Sequence, residues 1–242
     1  MNGNSNIYYI GGSKGGVGKT LLSFALTDYL LNRERNVLLV DTDTDNPDVF
    51  KAHKDLALPN LYCLMNSLDD ADGWADLLDT VQRYPAHTVV INAAARTKTS
   101  TASYGEIMRG ALREMQRALV VFWVINRQRD SIELLHSFQQ AFPDTAIHVC
   151  RNLHFGEPER FDLYNASKTR EAVEQTGKTL DFPAVANRAV DWLYSKRLSI
   201  RAAYPEMPFG TRAELQRWRT RCAEMFDRVL AEPEPAMPEA GA

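Results

Sequence analysis

The chain has 242 residues, 45% of them hydrophobic, which fits one α/β domain with a sizeable core, although the length also admits two small ones. Its 28 lysines and arginines face 31 aspartates and glutamates, a net charge of −3 matched by Glu232, Glu234 and Glu239 of the tail; this excludes a global bias toward nucleic acid or membrane. Cys63, Cys150 and Cys222 are widely spaced with no CxxC, and His53, His87, His136, His148 and His154 lack metal-ligand spacing, against a disulfide framework or a zinc site. Met1–Asn6 is polar and uncharged, unlike a signal peptide, and the longest apolar run, Ala118–Ile125, is too short to span a bilayer. A cytoplasmic protein is expected.

The first element is an apolar strand, Ile7–Ile10, followed by Gly11-Gly12-Ser13-Lys14-Gly15-Gly16-Val17-Gly18-Lys19-Thr20 and a helical run, Leu21–Leu31. Strand, glycine loop and helix in that order make a phosphate cradle. Glycines let backbone N–H groups turn inward, and the helix N-terminus adds partial positive charge. Residues Ser13, Lys14, Gly15, Gly16, Val17, Gly18, Lys19, Thr20 and Leu21 are the expected nucleotide contacts, with Lys19 on the β/γ-phosphates and the Thr20 hydroxyl on magnesium. The P-loop pattern wants glycine first, and here that position is Ser13.

The second lysine, Lys14, narrows the reading. Lys-Gly-Gly-Val-Gly-Lys-Thr resembles the deviant Walker A box of the ParA/MinD family of ATPases, which includes nitrogenase iron protein and the arsenite-pump ATPases. The resemblance implies ATP and Mg²⁺ as cofactors and a nucleotide-sandwiched homodimer, in which Lys14 crosses to the partner's phosphates.

Asn36–Val40 reads as a buried parallel strand without alternation, running into Asp41-Thr42-Asp43-Thr44-Asp45-Asn46-Pro47-Asp48. Carboxylates at a strand's C-terminal end lie on the rim where open α/β sheets bind ligands. Asp45 and Asp48 read as a solvated turn. The Val-Asp-Thr-Asp setting resembles the family's first switch, which implies that Asp43 orients the attacking water and Asp41 supports magnesium.

Leu61–Leu64 reads as a short strand, Asp69–Gly73 as a loop, and Trp74–Val81 as a helix ending near Tyr84-Pro85. His87–Asn92 is the next buried strand. In the family it ends in the Walker B aspartate, which holds a water on magnesium; here the position is Asn92. An amide there keeps hydrogen-bonding capacity without charge, so it should hold the magnesium shell less strongly and slow hydrolysis.

Arg96–Thr101 is expected to be the second switch loop. Tyr104–Arg117 reads as a helix with Arg109, Arg113 and Arg117 on one face, either solvated or a stripe for DNA or a partner. Ala118–Ile125 is a buried strand, Asp130–Ala141 its return helix, and Thr145–Cys150 another strand ending in Arg151-Asn152. By resemblance Asn152 reads the adenine edge, and Pro183, in Asp181–Val185, covers the base.

Tyr164–Thr176 reads as a helix closed by Gly177, and Asn187–Arg197 and Thr211–Leu230 as the last helices. The last carries an apolar stripe of Leu215, Trp218, Cys222, Met225, Phe226 and Val229, expected to dock on the sheet rather than seek a membrane. Residues 231–242 read as a disordered Pro/Glu-rich tail beyond a single domain over 1–230. Strands alternating with helices predict a doubly wound, mostly parallel sheet flanked by helices.

The functional expectation is an ATP-dependent dimerisation switch with slow magnesium-dependent hydrolysis. It would serve plasmid or DNA partition, plasmid stability or conjugative transfer, with a partner protein and DNA contacts through local arginine patches. The alternatives are a nucleotide-sensing adaptor with negligible hydrolysis, motivated by Asn92, and a metabolic P-loop synthetase or kinase.

Overall fold

The computed structural model describes residues 6–13, 15–94, 98–143 and 145–230, the side chains of 98–103 excepted. The expectations for Lys14, for Arg96 and Thr97, and for the tail lie outside the described residues. In chain order the elements are β1 (Ile7–Gly12), α1 (Lys19–Leu31), β2 (Val37–Asp41), α2 (Asp48–His53), β3 (Leu61–Met65), α3 (Ala71–Arg83), β4 (Thr88–Asn92), α4 (Lys98–Glu114), β5 (Leu119–Ile125) and α5 (Arg129–Ala141). There follow β6 (Ala146–Asn152), α6 (Asp162–Asn165), α7 (Lys168–Thr176), β7 (Thr179–Phe182), α8 (Asn187–Lys196), α9 (Ile200–Glu206) and α10 (Phe209–Leu230).

The seven strands form one parallel sheet in the order β3-β2-β4-β1-β5-β6-β7. Period-two alternation divides its side chains between two cores. Tyr8, Ile10, Val37, Leu39 and Phe122 join α1, α2, α8, α9 and α10 on one face. Ile7, Tyr9, Leu38, Val40 and Trp123 join α3, α4, α5, α6 and α7 on the other. Helices on both faces bury the inner strands β1, β2 and β4, which is why these sequences run apolar without a polar face, whereas edge strand β3 leaves Tyr62 and Met65 exposed. The doubly wound expectation is met.

Helix α1 is covered on nearly every side: Leu22, Ser23, Phe24, Ala25, Leu26 and Thr27 are all buried. It lies between the sheet and α10. Arg219 of α10 donates to both carboxylate oxygens of Asp28, from Nε at 2.8 Å and from Nη2 at 3.1 Å. The predicted apolar stripe of α10 packs inward, with Leu215, Trp218, Cys222, Met225 and Phe226 buried, so this helix docks on the domain. Among the described residues no helix is long and apolar enough to cross a membrane.

Several boundaries differ from the sequence reading, each for a local reason. Asp48 opens α2 directly after Pro47 rather than ending a solvated turn. Asp70 caps α3 by accepting the Gly73 N–H at 2.9 Å, which starts the helix inside the expected loop. Ser167 caps α7 by accepting the Arg170 N–H at 3.1 Å, so the single helix expected over Tyr164–Thr176 is two elements. Helix α4 begins at Lys98, within the expected second switch, and ends at Glu114. Beyond it Gln116 adopts a left-handed φ of 53°, which turns Arg117 out of helical register.

Candidate nucleotide-binding site

The rim formed by the C-terminal ends of β1, β2 and β4 carries the site, and it lies where the strand order reverses around β1. Gly18 is the N-cap of α1, with φ 107° and ψ 15°. That left-handed conformation suits glycine and leaves the first-turn N–H groups of α1 without a side-chain cap. At Gly15 and Gly16 an added Cβ would meet nothing within 4 Å, so the loop opens on free space. This is the shape a polyphosphate needs.

Ser13 is turned into the body of the protein. Its Oγ lies 2.9 Å from Ser131 Oγ, and Ser131 in turn donates to Asn126 Oδ1 at 2.8 Å. A side chain at the first P-loop position is accommodated because it ties the loop to α5. Val17 is buried in the core under α1, and Leu21 packs partly against the same core. Lys19 and Thr20 form the first turn of α1. Burial lowers the Lys19 pKa from its ordinary value, opposed by the negative charge of Asp43.

Asp41 and Asn92 are register partners on β2 and β4, and their side chains meet. Asn92 Nδ2 donates to Asp41 Oδ1 at 2.9 Å, and Asp41 also accepts the N–H groups of Asp43 at 3.3 Å and Phe50 at 3.0 Å. Burial raises the Asp41 pKa above the usual carboxylate value, and the three N–H donors act against it. Asp43 is half-buried and accepts the Asn46 N–H at 3.2 Å. The three residues therefore stand together on one rim with the P-loop helix.

Two residues in this array escaped the sequence reading. Ser23 Oγ lies 3.0 Å from both Lys19 O and Asn92 Oδ1, joining α1 to the end of β4. Thr42 Oγ1 donates to Asn92 O at 3.0 Å and accepts the Ala94 N–H at 2.9 Å, fixing the exit of β4. The i, i+4 spacing of Ser23 from Lys19 was the available signal, and Thr42 stood between the two aspartates.

Asn152 ends β6, two strands from β1. Its Nδ2 donates to Val17 O at 2.9 Å and its Oδ1 accepts the His154 N–H at 3.0 Å. Pro183 is buried, and its carbonyl accepts the Trp218 indole N–H at 2.8 Å. The expected arginine stripe on α4 is not formed. Arg117 is buried and donates to Val81 O at 3.2 Å and to His87 O, turning toward α3 while Arg113 stays exposed.

The donor set suits a hard divalent cation held with phosphate oxygens and water: the Thr20 hydroxyl with the Asp41 and Asp43 carboxylates, all oxygens. Among the described residues no cluster of three or more His, Cys, Asp or Glu could hold a metal alone. A metal here would need the nucleotide's own oxygens.

A glycine cradle at a helix N-terminus, facing carboxylates on the strand rim, defines a phosphate-binding nucleotide domain of the α/β class. A family model described as the CobQ/CobB/MinD/ParA nucleotide binding domain matches residues 8–153, and the chain belongs to that family. Protein MobD of Acidithiobacillus ferrooxidans is 49% identical to it over 228 residues, covering 94% of this chain and 99% of MobD. Among solved structures, the MinD cell division protein of Aquifex aeolicus has a TM-score of 0.56 at 16% identity, over 97% of this chain and 100% of that one. The MinC:MinD cell division protein complex of the same organism gives 0.55 at 15% identity, over 97% and 99%. At these identities the structural likeness is one of fold.

Proposed function

We propose that this protein is an ATP-dependent dimerisation switch with slow magnesium-dependent hydrolysis, acting in plasmid or DNA partition, plasmid stability or conjugative transfer. The observation that carries the reading is the open cradle at Gly15 and Gly16, set at the N-terminus of α1 and facing Asp41 and Asp43. Lys19 neutralises the β/γ-phosphates. The Thr20 hydroxyl and the Asp41 carboxylate hold the magnesium shell, and bound magnesium supplies charge neutralisation on the phosphates. Asp43 orients the attacking water. Lys14 of each copy reaches the phosphates bound by the other, so nucleotide occupancy and dimerisation become one equilibrium. A protein partner reads the dimer, as the MinC:MinD assembly pairs a related fold with a second protein.

A second reading, the nucleotide-sensing adaptor with negligible turnover, is favoured by one observation. Asn92 contributes an amide, not a charge, at the end of β4. Light scattering on wild type and Lys14→Ala with ATP, ADP and no nucleotide, beside phosphate release, tests both readings. The switch predicts a dimer with ATP only, lost in Lys14→Ala, with slow release of phosphate. An ATP-dependent dimer with no release supports the adaptor. A monomer in every state, or a dimer indifferent to nucleotide, overturns the switch.

A further inference from the structure

A cavity of about 200 Å³ lies between α1 and α10, beside the first turn of α9. One stripe of each helix lines it. Residues 25, 28, 29 and 32 come from α1 and its C-cap, and residues 216, 219, 220 and 223 from α10, both sets at i, i+3, i+4, i+7 spacing. Each stripe carries an alanine, Ala25 and Ala223, where a larger side chain would close the gap. The cavity stands apart from the nucleotide rim, since Asp28 lies about 14 Å along the α1 axis from Lys19.

Its floor is apolar and its mouth polar. Ala25, Ile200, Trp218 and Cys222 are buried, while Asn32, Arg33, Gln216 and Thr220 are exposed. What the polar groups leave unpaired is donors. The Asp28 carboxylate accepts from Arg219 Nε at 2.8 Å and Nη2 at 3.1 Å, and from Asn32 Nδ2 at 3.1 Å. Gln216 Oε1 accepts from Arg219 Nη1 at 3.0 Å, so the amide nitrogen of Gln216 points the other way, and among the described residues it has no acceptor. Arg33 stacks over the Tyr29 ring at 3.7 Å and gives only Nη2 to Asp227 Oδ1, at 2.7 Å, which keeps Nε and Nη1 for a ligand. Tyr29 donates to the same Asp227 oxygen at 2.7 Å, so that carboxylate is also engaged. The lining thus sets two guanidiniums, Arg33 and Arg219, against one carboxylate, Asp28.

We propose that this cavity binds a small organic carboxylate, with its head on the Arg33 and Gln216 donors and its apolar body over Ala25, Ile200 and Ala223. An inorganic anion would leave the floor uncovered, and a neutral amide would leave the guanidinium unmatched. At about 30 Å³ per water, the volume admits roughly seven non-hydrogen atoms, the size of pentanoate. The helix that lines the cavity begins with Lys19 and Thr20. A ligand that favours one position of α1 therefore changes nucleotide affinity, and nucleotide changes the ligand's affinity by the same factor. That coupling rests on the reading of the glycine loop as a phosphate cradle; the carboxylate site does not.

The test uses the full chain without nucleotide. Pentanoate, pentanamide, pentylamine and acetate are titrated at constant ionic strength while the backbone amides of Asn32 and Thr220 are followed by NMR. Pentanoate should bind with a Kd of about 1 mM, and the three comparators at least about tenfold more weakly. Gln216→Glu keeps an acceptor for Arg219 but removes the N–H donors and adds like charge, and Ala223→Leu fills the floor. Each should weaken pentanoate about tenfold with an unchanged or higher melting temperature. Arg33→Gln is the third variant, for use if either of these melts below wild type. Pentanoate that does not bind below about 20 mM, or binds no better than pentanamide, or binds the variants as it binds wild type, overturns the proposal. With about 10 mM pentanoate the ATP affinity of wild type should shift by at least about threefold, and that of Gln216→Glu should not. An unmoved wild-type value overturns the coupling. Wild type that binds no ATP at all defeats the cradle reading, and the nucleotide-free titration then still decides the site.

Discussion

Asn92 Nδ2 donates to Asp41 Oδ1 at 2.9 Å, between strand partners whose side chains are 3% and 0% exposed. An amide in this position can do what a carboxylate cannot, which is donate to its buried neighbour. Ser23 approaches the other end of the amide, at 3.0 Å from Oδ1, which is consistent with the nitrogen facing the carboxylate. The loss of charge at the end of β4 is therefore coupled to the carboxylate kept at the end of β2.

Reversal of the exchange is expected to harm the free protein. Asn92→Asp would set two carboxylates in contact inside a buried site, removing a donor and adding like charge. Stability in EDTA is expected to fall by about 1–3 kcal/mol, or roughly 2–12 °C in melting temperature. Magnesium with ATP should restore part of that loss, because a cation between two carboxylates relieves their repulsion. Thermal melting of Asn92→Asp and Asn92→Ala, with and without magnesium and ATP, reads both effects. A variant as stable as wild type in EDTA would show that the Asn92 donor does not matter to the fold.

The parts legible in the sequence are those where one element type left a long unbroken signal. Val37–Val40, Val89–Ile91 and Val120–Ile125 read as strands because a sheet covered on both faces leaves no polar position to interrupt them. The cradle was legible because glycine at 16 and 18, both at positive φ, has a conformational meaning that other residues lack. Short helices were not. Helix α2 has too few turns for periodicity to register, and α9 carries Pro205 within it. Ser23 was hidden because α1 is buried on nearly every side, so a polar residue pointing at the site stands on no distinguishable face. The Asn92–Asp41 contact required the register of β2 against β4, which strand composition does not encode.

Arg117 illustrates the same limit and supports a second prediction. Spacing placed it with Arg109 and Arg113 on one helix face, but the chain leaves the helix after Glu114. Its guanidinium instead binds carbonyls near the end of α3 and before β4, where orphan acceptors need donors. Arg117→Ala is expected to cost about 2 kcal/mol, a fall of roughly 4–8 °C in melting temperature, while exposed Arg113→Ala changes stability by under about 0.5 kcal/mol. Measured well below the melting point, neither DNA retention nor partner binding should change in Arg117→Ala. A wild-type melting temperature with lost DNA retention would restore the arginine to a surface stripe.

Two buried histidines are expected to weaken the fold in acid, and His87, lowered by burial and by the charge of Arg117, acts in the same direction. Burial takes His53 down to about 4, while its Nδ1 lies 2.8 Å from Val49 O and donates to it in the neutral ring. His148 is also lowered to about 4, by burial first and by the charge of Lys178 second, and its Nδ1 accepts the Lys178 N–H at 3.1 Å. In the unfolded chain both titrate at about 6.5. Below that value the unfolded state binds more protons, so stability is fully present above pH 6.5 and is lost as pH falls toward 4. Each imidazole accounts for about 3 kcal/mol across that interval. Urea unfolding at steps between pH 8 and 5 should show a plateau above 7, then a slope approaching two protons from these two rings. His53→Gln, which keeps a donor, and His148→Asn, which keeps an acceptor, should each remove about one proton from the slope. A flat profile from pH 7 to 5 would mean that both rings protonate in the folded state as readily as in the unfolded one.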